Sequence, residues 1–401
     1  MRIVMVGPVY PLRGGIAHYV SLLTQTLIRR GHDVKVITFK RQYPKLLFPG
    51  KSQEETSMTN DKLQMTHGES AASDIRDSSF KIRNTEAIID SINPITWIQA
   101  GSAAAKFKPD LIIFNFWIPF IAPAYGVMAR TARRLLRKGG HDSKILCIAH
   151  NVVPHDKRPG DRMFTKFAFR VFDSFVVQAE IVERDLKSII PNAKFIRLDH
   201  PVYELFGERM DRSEARRKLS IPNDAPAILF FGYIRKYKGL DILLRAMPQI
   251  IEQLPEIRLI VAGEFYGDEQ EYRTLIDELR IPSKNLILVN DYIPNEEVPL
   301  YFSAANAAVV PYRSATQSGI VQIAYNFDVP VIATNVGGLP EIVKDGTSGL
   351  IARDLTPEAT AEKVIRFFQE RLESKLIQGV IEEKKKYSGD ALAEGIEMFS
   401  Q

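Results

Sequence analysis

Two stretches in the second half of the chain have the residue types that bind phosphate. The first, residues 232–239 (GYIRKYKG), carries Arg235 and Lys238 between two glycines, directly after the apolar run 227–231. Arginine can donate two parallel hydrogen bonds to phosphate oxygens, whereas lysine acts as a mobile point charge. The pattern predicts an anion clamp or, equally well, a solvated basic turn.

The second stretch is a polar, glycine-bearing loop over residues 314–319 (SATQSG), which leads into the apolar helical segment 320–327. A helix that starts from such a loop leaves backbone N–H groups without partners, and its dipole adds partial positive charge there. Helix starts of this kind bind phosphate. An ordinary loop-to-helix junction is the alternative interpretation.

A histidine in the first half follows a strand. Residues 145–149 form a β-like run that ends at His150. Ligands of open α/β sheets bind beyond the carboxyl ends of strands, where a histidine can donate a hydrogen bond to a sugar hydroxyl or a phosphate. A functional role for His150 and a purely structural one are equally favoured by this position, and His155 is a weaker candidate.

Strands and helices alternate from the N-terminus. A strand over residues 2–7 leads to a loop ending in Gly14 and Gly15, then to a helix over 16–31 and a strand over 33–39. This βαβ unit opens a doubly wound sheet, and the lack of a G-x-G-x-x-G motif disfavours dinucleotide binding.

The alternation continues through the second half and predicts two α/β domains. Their boundary is expected near residue 205, which gives domains over 1–205 and 206–375. Residues 376–401 are expected to form a C-terminal helix that packs back on the first domain. Residues 41–95 are interpreted as a long excursion from the first sheet rather than as a separate domain. Long loops in compact domains are usually functional or mobile.

An aromatic and proline-rich run over residues 118–125 (IPFIAPAY) precedes a basic helix. The favoured interpretation of the run is the start of a core helix, and a wall that takes a lipid is the alternative. The cations of the helix recur at helical spacing and are Arg130, Arg133, Arg134, Arg137 and Lys138. Such a face is usually solvated, and a peripheral membrane contact is the minority interpretation.

Charge and cysteine content indicate the setting of the protein. Residues 1–205 carry 30 Lys+Arg against 19 Asp+Glu, and residues 206–401 carry 23 against 29. This asymmetry suggests that the basic half faces something anionic, and a solvated basic surface with no partner is favoured at least as well as any one such partner. Cys147 is the only cysteine, which fits a reducing compartment. No signal peptide and no run of eighteen apolar residues is present, so a cytoplasmic protein is expected, with peripheral contact at the inner face of the membrane as an extension.

Several chemistries are disfavoured by missing motifs. The sequence has no D-x-D pair for a divalent metal, no second ligand pair beside Cys147 for zinc, and no G-x-S-x-G nucleophile elbow. No recognised nucleic-acid-binding module is present either. Phosphate binding would therefore rest on side-chain cations and helix N-termini, with no metal and no other cofactor.

The whole chain resembles the GT-B glycosyltransferases and, more narrowly, the large retaining family GT4 (glycosyltransferase group 1). The resemblance rests on Gly14-Gly15, His150, residues 232–239, residues 330–341 (PVIATNVGGLPE) and residues 345–350 (DGTSGL). It implies the GT-B fold, in which two Rossmann-like doubly wound domains face each other across a cleft.

The resemblance also implies roles on the first domain. Gly14 and Gly15 would let the first loop approach the donor phosphates and the acceptor, and His150 would contact the donor sugar. The acceptor would lie on this domain. Transfer would retain the anomeric configuration and would need no metal.

On the second domain, the resemblance implies binding of the nucleotide-sugar donor. Arg235 and Lys238 would neutralise the departing diphosphate. The distal phosphate would be held at a helix N-terminus by backbone amides of Ser318, Gly319 and Ile320.

The sequence departs from the family pattern where two glutamates are usual. Counted back from Pro330, their places are taken by Ala315 and Ile323, and Tyr233 stands where an arginine normally follows the first glycine. The polar side chains expected to take over donor contacts are Thr316, Gln317, Ser318 and Gln322.

The expected function is transfer of a hexose from a nucleotide sugar to a glycan or lipid-linked acceptor, in cell-surface polysaccharide assembly. One alternative is a GT-B hydrolase or epimerase acting on a nucleotide sugar. The other is a non-catalytic subunit that binds a nucleotide or glycan, which the missing glutamates make credible.

Overall fold

The chain divides into two compact units in the computed structural model. The structure describes residues 1–44, 52–54, 82–154, 158–267 and 269–400. Unit 1 comprises Met1–Asp199 and Gly389–Gln401, and unit 2 comprises His200–Ser388. The sequence pattern placed the first boundary near 205 and a second one at 375/376, so both boundaries in the structure differ from it by several residues.

Unit 1 is built on a parallel sheet of seven strands. The strands are β1 Arg2–Val6, β2 Asp33–Arg41, β3 Thr85–Asp90, β4 Leu111–Phe116, β5 Lys144–Ala149, β6 Ser174–Val177 and β7 Phe195–Arg197. Their order in the sheet is β3-β2-β1-β4-β5-β6-β7. Every residue of the central strand β4 is buried, which explains its almost entirely apolar sequence LIIFNF.

Helices connect these strands. They are α1 Gly15–Arg29, α2 Pro94–Lys106, α3 Ala122–Lys138, α4 Asp161–Phe169 and α5 Glu180–Ile189. The start of α2 shows why a helix forms there, because the Asn93 side chain accepts a hydrogen bond from the amide of Ile95 and Pro94 occupies the first turn. α3 lies between α2 and α4 and packs against both.

Part of the predicted 41–95 excursion is an ordered edge strand. β3 pairs in parallel with β2, and ion pairs join the two strands through Lys35 with Glu86 and Arg41 with Asp90. An edge strand is half exposed, so its polar residues hid it from a search for apolar runs. Most of the remaining excursion lies outside the described residues.

The aromatic run over residues 118–125 belongs to the core of unit 1. Pro119–Ile121 form a 3-10 turn that leads into α3, and the side chains of Ile121 and Tyr125 are fully buried. The structure therefore agrees with the core-helix interpretation and contradicts a lipid-facing wall at this segment.

Unit 2 repeats the doubly wound pattern with six parallel strands. These are β8 Ala227–Phe231, β9 Arg258–Ala262, β10 Leu286–Val289, β11 Ala307–Val310, β12 Val331–Thr334 and β13 Gly349–Ala352. The sheet order is β10-β9-β8-β11-β12-β13. The order reverses between β8 and β11, which is the place where open α/β sheets bind ligands.

The helices of unit 2 flank this sheet. They are α6 Arg212–Lys218, α7 Leu240–Gln253, α8 Glu269–Glu278, α9 Val298–Ala304, α10 Gly319–Asn326, α11 Leu339–Ile342, α12 Pro357–Gln369 and α13 Glu373–Lys384. The amide of Val202 donates to the carbonyl of Tyr387 at 2.8 Å. This bond joins the first and last segments of unit 2 and explains why its boundaries lie outside the predicted ones.

The final helix, α14 Gly389–Ser400, belongs to unit 1 and packs on α1. Glu397 accepts hydrogen bonds from Arg30 at 2.7 and 2.8 Å and lies 2.8 Å from His32 Nε2. The bond to Arg30, followed by that to His32, holds the pKa of Glu397 at about 2. The C-terminal helix is thus attached by an ion pair as well as by packing.

Candidate active site

The loop after β8 is shaped so that Lys238 is buried while Lys236 stays exposed. Arg235 is extended and Lys236–Lys238 form a 3-10 turn, after which Gly239 adopts a left-handed φ of 70° at the start of α7. A Cβ on Gly239 would lie 2.0 Å from the carbonyl oxygen of Pro311. Glycine is therefore required at this turn, and it brings the loop against the segment that follows β11.

Lys238 is the buried cation of this loop. Its side chain is 8% exposed, and no acceptor or carboxylate within the described residues bonds to its ammonium. Burial, followed by repulsion from Arg235, lowers the pKa of Lys238 to about 7. A buried cation without a counter-ion costs stability, so the site has affinity for an anion.

The start of α10 lies beside Lys238. A Cβ placed on Gly232 would be 3.2 Å from Lys238 Nζ and 3.0 Å from Ile320 Cδ1. The two stretches that the sequence singled out for phosphate, 232–239 and 314–319, therefore meet in space. They do so where the strand order reverses, between β8 and β11.

The first amides of α10 are available to a ligand. Within the described part of the chain, the backbone N–H groups of Ser318, Gly319 and Ile320 have no hydrogen-bond acceptor. The Ser318 side chain does not cap the helix and instead lies 3.5 Å from the hydroxyl of Tyr312. Three unpaired donors thus point out of an eight-residue helix near a buried lysine.

The Gly337-Gly338 turn supports the loop before α10. Gly337 has a φ of 52°, and a Cβ there would lie 1.5 Å from the carbonyl oxygen of Ala315. Only glycine allows this close approach. The turn thereby holds the loop 314–319 against the end of β12.

The two places where the family usually has glutamates hold buried apolar side chains, Ala315 and Ile323. Among the predicted substitutes, Gln322 is fully buried and neither atom of its amide has a partner in the described structure. Thr316 and Gln317 are half-exposed. Direct donor contact is therefore open to Thr316 and Gln317, whereas Gln322 lies beneath the surface.

The first loop of unit 1 ends at the predicted glycines. Gly14 has a φ of 111° and its carbonyl accepts from the amides of Ala17 and His18, so it starts α1. Among the described residues, no atom lies within 4 Å of a Cβ placed on Gly14. The open space above this turn is where a ligand could approach the backbone.

His150 is the centre of a buried polar network at the ends of β4 and β5. The Asn115 amide group donates to the carbonyl of Val6 at 3.2 Å, which turns its oxygen toward His150 Nε2, also at 3.2 Å. Nε2 therefore carries the proton. The ring of Tyr19 meets the imidazole edge-on at 4.4 Å, and Gln178 donates to the Tyr19 hydroxyl at 3.0 Å. A bond from Nε2 to a sugar would have to replace the one to Asn115.

No group of three or more His, Cys, Asp or Glu side chains is arranged to hold a metal ion in the described ranges. His155 lies outside those ranges.

Comparison with known proteins finds a family model that matches most of unit 2. The model of the family described as "Glycosyl transferases group 1" matches residues 211–387, nearly all of that unit. This match covers less than half of the chain.

Curated proteins similar to part of this chain include D-inositol 3-phosphate glycosyltransferase 1 from Catenulispora acidiphila. It is 33% identical over 162 residues, which is 38% of this chain and 38% of that protein. The chain spans about two fifths of the length of several curated relatives that it matches.

Solved structures show that both units have the fold of GT-B glycosyltransferases. Sucrose-phosphate synthase from Thermosynechococcus elongatus is 18% identical, with a TM-score of 0.72 over 99% of this chain and 98% of the other. Anabaena HepE in complex with UDP is 14% identical, with a TM-score of 0.71 over 99% of both chains. The prediction of an α/β fold with two Rossmann-like domains is confirmed.

A buried pair of side chains behind helix α10 was not predicted from the sequence. The ring of Tyr203 lies 3.2 Å from a Cβ placed on Gly319. His200 Nδ1 donates to the carbonyl of Pro201 at 3.0 Å, so its Nε2 accepts from the Tyr203 hydroxyl at 3.3 Å. Burial lowers the pKa of His200 to about 4, which keeps the pair neutral. Its only signal in the sequence was the HPVY string.

Three tyrosines cluster beyond neighbouring strands of the same unit. Tyr233, Tyr266 and Tyr292 follow β8, β9 and β10, and the ring of Tyr233 lies 4.4 Å from that of Tyr266 and 6.2 Å from that of Tyr292. The residue that replaces the family arginine is thus part of an aromatic surface. Each tyrosine follows a strand closely in sequence, so strand ends could have revealed the cluster.

Proposed function

We propose that the protein is a retaining, metal-independent hexosyltransferase that moves a sugar from a nucleotide-sugar donor to a glycan or lipid-linked acceptor. The observation that carries this proposal is the meeting of buried Lys238 with three unpaired amides at the start of α10. A diphosphate offers acceptor oxygens and negative charge to both. The family match over residues 211–387 supports the same assignment.

The residues have distinct parts in the proposed reaction. The bond between the anomeric carbon and the phosphate oxygen breaks, and the electron pair leaves with the diphosphate. The acceptor oxygen bonds to the same face of the sugar, and its proton passes to the departing phosphate. Lys238 and Arg235 stabilise the charge that develops on the diphosphate, an effect for which one donor is typically worth about 100–1,000-fold in rate.

The first unit is proposed to present the acceptor. His150 lies at the carboxyl end of β5, and Gly14 and Gly15 lie at the carboxyl end of β1, which is where α/β sheets bind ligands. Contact of His150 with the donor sugar, at the expense of its bond to Asn115, is part of this proposal. The basic character of residues 1–205 suits an anionic acceptor, such as a lipid-linked sugar phosphate, on the cytoplasmic side of a membrane.

The competing function is binding without turnover. It is favoured by one observation, the buried apolar side chains of Ala315 and Ile323 where family members usually have glutamates. A hydrolase or epimerase acting on a nucleotide sugar would share the donor site but would need no acceptor.

A donor screen tests the proposal. The purified protein is incubated with UDP-, GDP-, TDP- and ADP-sugars in EDTA, with and without added acceptor extracts, while melting temperature and release of nucleoside diphosphate are followed. We expect one donor to raise the melting temperature by several degrees and to release its diphosphate slowly without metal.

The outcomes separate the candidate functions. A melting shift without diphosphate release, even with acceptor, would favour the binding subunit. Release that needs no acceptor and yields free sugar would favour a hydrolase. Release only when a divalent metal replaces EDTA would contradict metal independence, and the absence of any shift would contradict the donor site.

A further inference from the structure

The helix α4 of unit 1 exposes large apolar side chains to solvent. Met163 is 65% exposed, and Phe164 and Phe167 are each 39% exposed. Contiguous exposed apolar patches rimmed by polar residues mark interaction sites, among them membrane contacts. The buried side of this helix is formed by Thr165, Ala168 and Phe169.

The exposed side of α4 is divided into two parallel stripes. At about 100° per residue, Met163, Phe167 and Phe164 fall within one narrow sector of the helix. The adjoining sector holds exposed cations, which are Arg162, Lys166 and Arg170. The acid of this helix, Asp161, lies in the first turn and accepts from the amide of Arg158 at 2.8 Å.

The apolar stripe is held in place by a neighbouring helix. The guanidinium of Arg130 on α3 lies 3.9 Å from the ring centroid of Phe167 and donates to the carbonyl of Phe167 at 2.7 Å. A Cβ on Gly126 would lie 2.5 Å from the same ring, so glycine makes room for it. Phe167 is therefore a fixed surface feature.

The neighbouring helix α3 carries further exposed cations. Arg134, Arg137 and Lys138 are exposed, and α3 contains no acidic residue. Arg133 is bonded to Asp173 at 2.7 Å, and Arg130 to Phe167. The basic face that the sequence predicted thus splits, with its last turn exposed to solvent and its middle engaged within the unit.

We propose that α4 is a membrane-docking helix, with Met163, Phe164 and Phe167 inserted at the interface of an anionic bilayer and Arg162, Lys166 and Arg170 on the lipid headgroups. Amphipathic helices with aromatic and cationic stripes bind such surfaces by lying in the interface plane. Charge complementarity selects an anionic membrane over a neutral one. No helix among the described residues could span a membrane, so the contact is peripheral at this surface.

The inference rests on the proposed function only for its setting, because lipid binding is measured without a donor. The full-length protein is sedimented with vesicles of phosphatidylcholine alone and with an equimolar mixture of phosphatidylcholine and phosphatidylglycerol, at low and high salt. We expect binding to the mixed vesicles at low salt, weakening as salt screens the headgroups, and little binding to phosphatidylcholine.

Variants locate the contact. Met163→Ser and the double change Phe164→Ser/Phe167→Ser should each weaken binding to mixed vesicles, the double change on the order of tenfold. The matched control is Met398→Ser, since Met398 is 69% exposed on α14, and it should bind as the wild type does. Met163 is so exposed that its change should leave folding intact, which circular dichroism verifies.

Three results would overturn the inference. The first is equal binding to both kinds of vesicle. The second is binding as strong as that of the wild type in both the Met163→Ser variant and the Phe164→Ser/Phe167→Ser variant. The third is binding lost only in Arg162→Gln/Lys166→Gln, which would indicate attraction to any acidic surface, an acidic protein included. Failure of the donor screen would leave these readings intact, and failure here would leave donor turnover intact.

Discussion

The polar groups at the carboxyl ends of the two parallel sheets differ in whether they have hydrogen-bond partners. In unit 1, Asn115, His150, Tyr19 and Gln178 are buried and make hydrogen bonds or ring contacts with one another. In unit 2, the ammonium of Lys238 and the first amides of α10 have no acceptor within the described residues. The same topology thus supports one polar cluster whose members mostly bond to one another, with only the Gln178 Oε1 left without a partner among the described residues of that cluster, and one whose donors face no acceptor.

This difference separates two ways of preparing a binding site. A largely satisfied network is rigid, and a ligand gains little by displacing its bonds. Unsatisfied buried donors cost free energy in the empty protein, and that cost is removed when a ligand supplies acceptors. We infer that unit 2 contributes most of the donor affinity and that unit 1 contributes mainly a rigid surface.

The largest expected effect comes from removing the buried lysine of unit 2. Lys238→Ala should lower kcat/KM by roughly 100–1,000-fold, because charge on the departing diphosphate loses a preorganised partner. The matched control is Lys236→Ala, since Lys236 lies in the same turn but is exposed. Steady-state release of nucleoside diphosphate measures both variants, and similar losses in the two would contradict a specific role for the buried lysine.

The low pKa of Lys238 predicts a pH dependence of donor binding. Above its pKa of about 7 the lysine of the empty protein is neutral, so a bound diphosphate must draw a proton onto it. Donor affinity should therefore fall by up to about tenfold per pH unit above 7. Calorimetry in buffers of different ionisation enthalpy measures the proton uptake, which Lys238→Arg should abolish. An affinity independent of pH between 7 and 9 would contradict the prediction.

A substitution in the hydrogen-bonded cluster of unit 1 should mainly lower the stability of the protein. Asn115→Leu removes the partner of His150 and the donor to the Val6 carbonyl, and an unsatisfied buried group costs about 1–3 kcal/mol. Denaturant unfolding measures this loss. The control Cys147→Ala alters a buried side chain of β5 that takes no part in the network. If Asn115→Leu weakened donor binding more than Lys238→Ala does, the comparison between the units would be wrong.

The smallest expected effect is at the loop before α10. Gln317→Ala should weaken donor affinity a few-fold, because Gln317 is half-exposed beside the phosphate site and its amide nitrogen has no partner in the described structure. Ser314→Ala in the same loop is the comparison variant. Titration of the donor by calorimetry measures both, and unchanged affinity in Gln317→Ala would argue against a substitute for the missing glutamates.

Much of the site could be predicted because its signals are local. The glycines at 14, 232, 239 and 337 mark turns whose backbone angles few other residues adopt, and they appear in the sequence as motifs. Cations between glycines after a strand likewise predict an anion site without knowledge of the fold. Local patterns were insufficient for β3, whose edge position lets it carry Glu86 and Asp90.

Surface exposure was the property that sequence patterns assigned least well. The run 118–125 and the helix α4 are both aromatic, yet Tyr125 is fully buried and Phe164 is not. Periodicity shows that a helix has an apolar side but not whether another element covers it. The sequence placed the membrane hypothesis at residues 118–125, whereas in the structure the exposed aromatic side chains that support it lie on α4.

The sequence by itself determined the alternation of strands and helices, the glycine turns and the family resemblance of residues 211–387, because each depends on residues adjacent along the chain. The tertiary structure alone decided that Lys238 is buried, that it meets the start of α10, and that His150 is bonded to Asn115. These properties arise when segments tens of residues apart pack together. Burial then sets the pKa and the hydrogen-bond partners, which no local pattern contains.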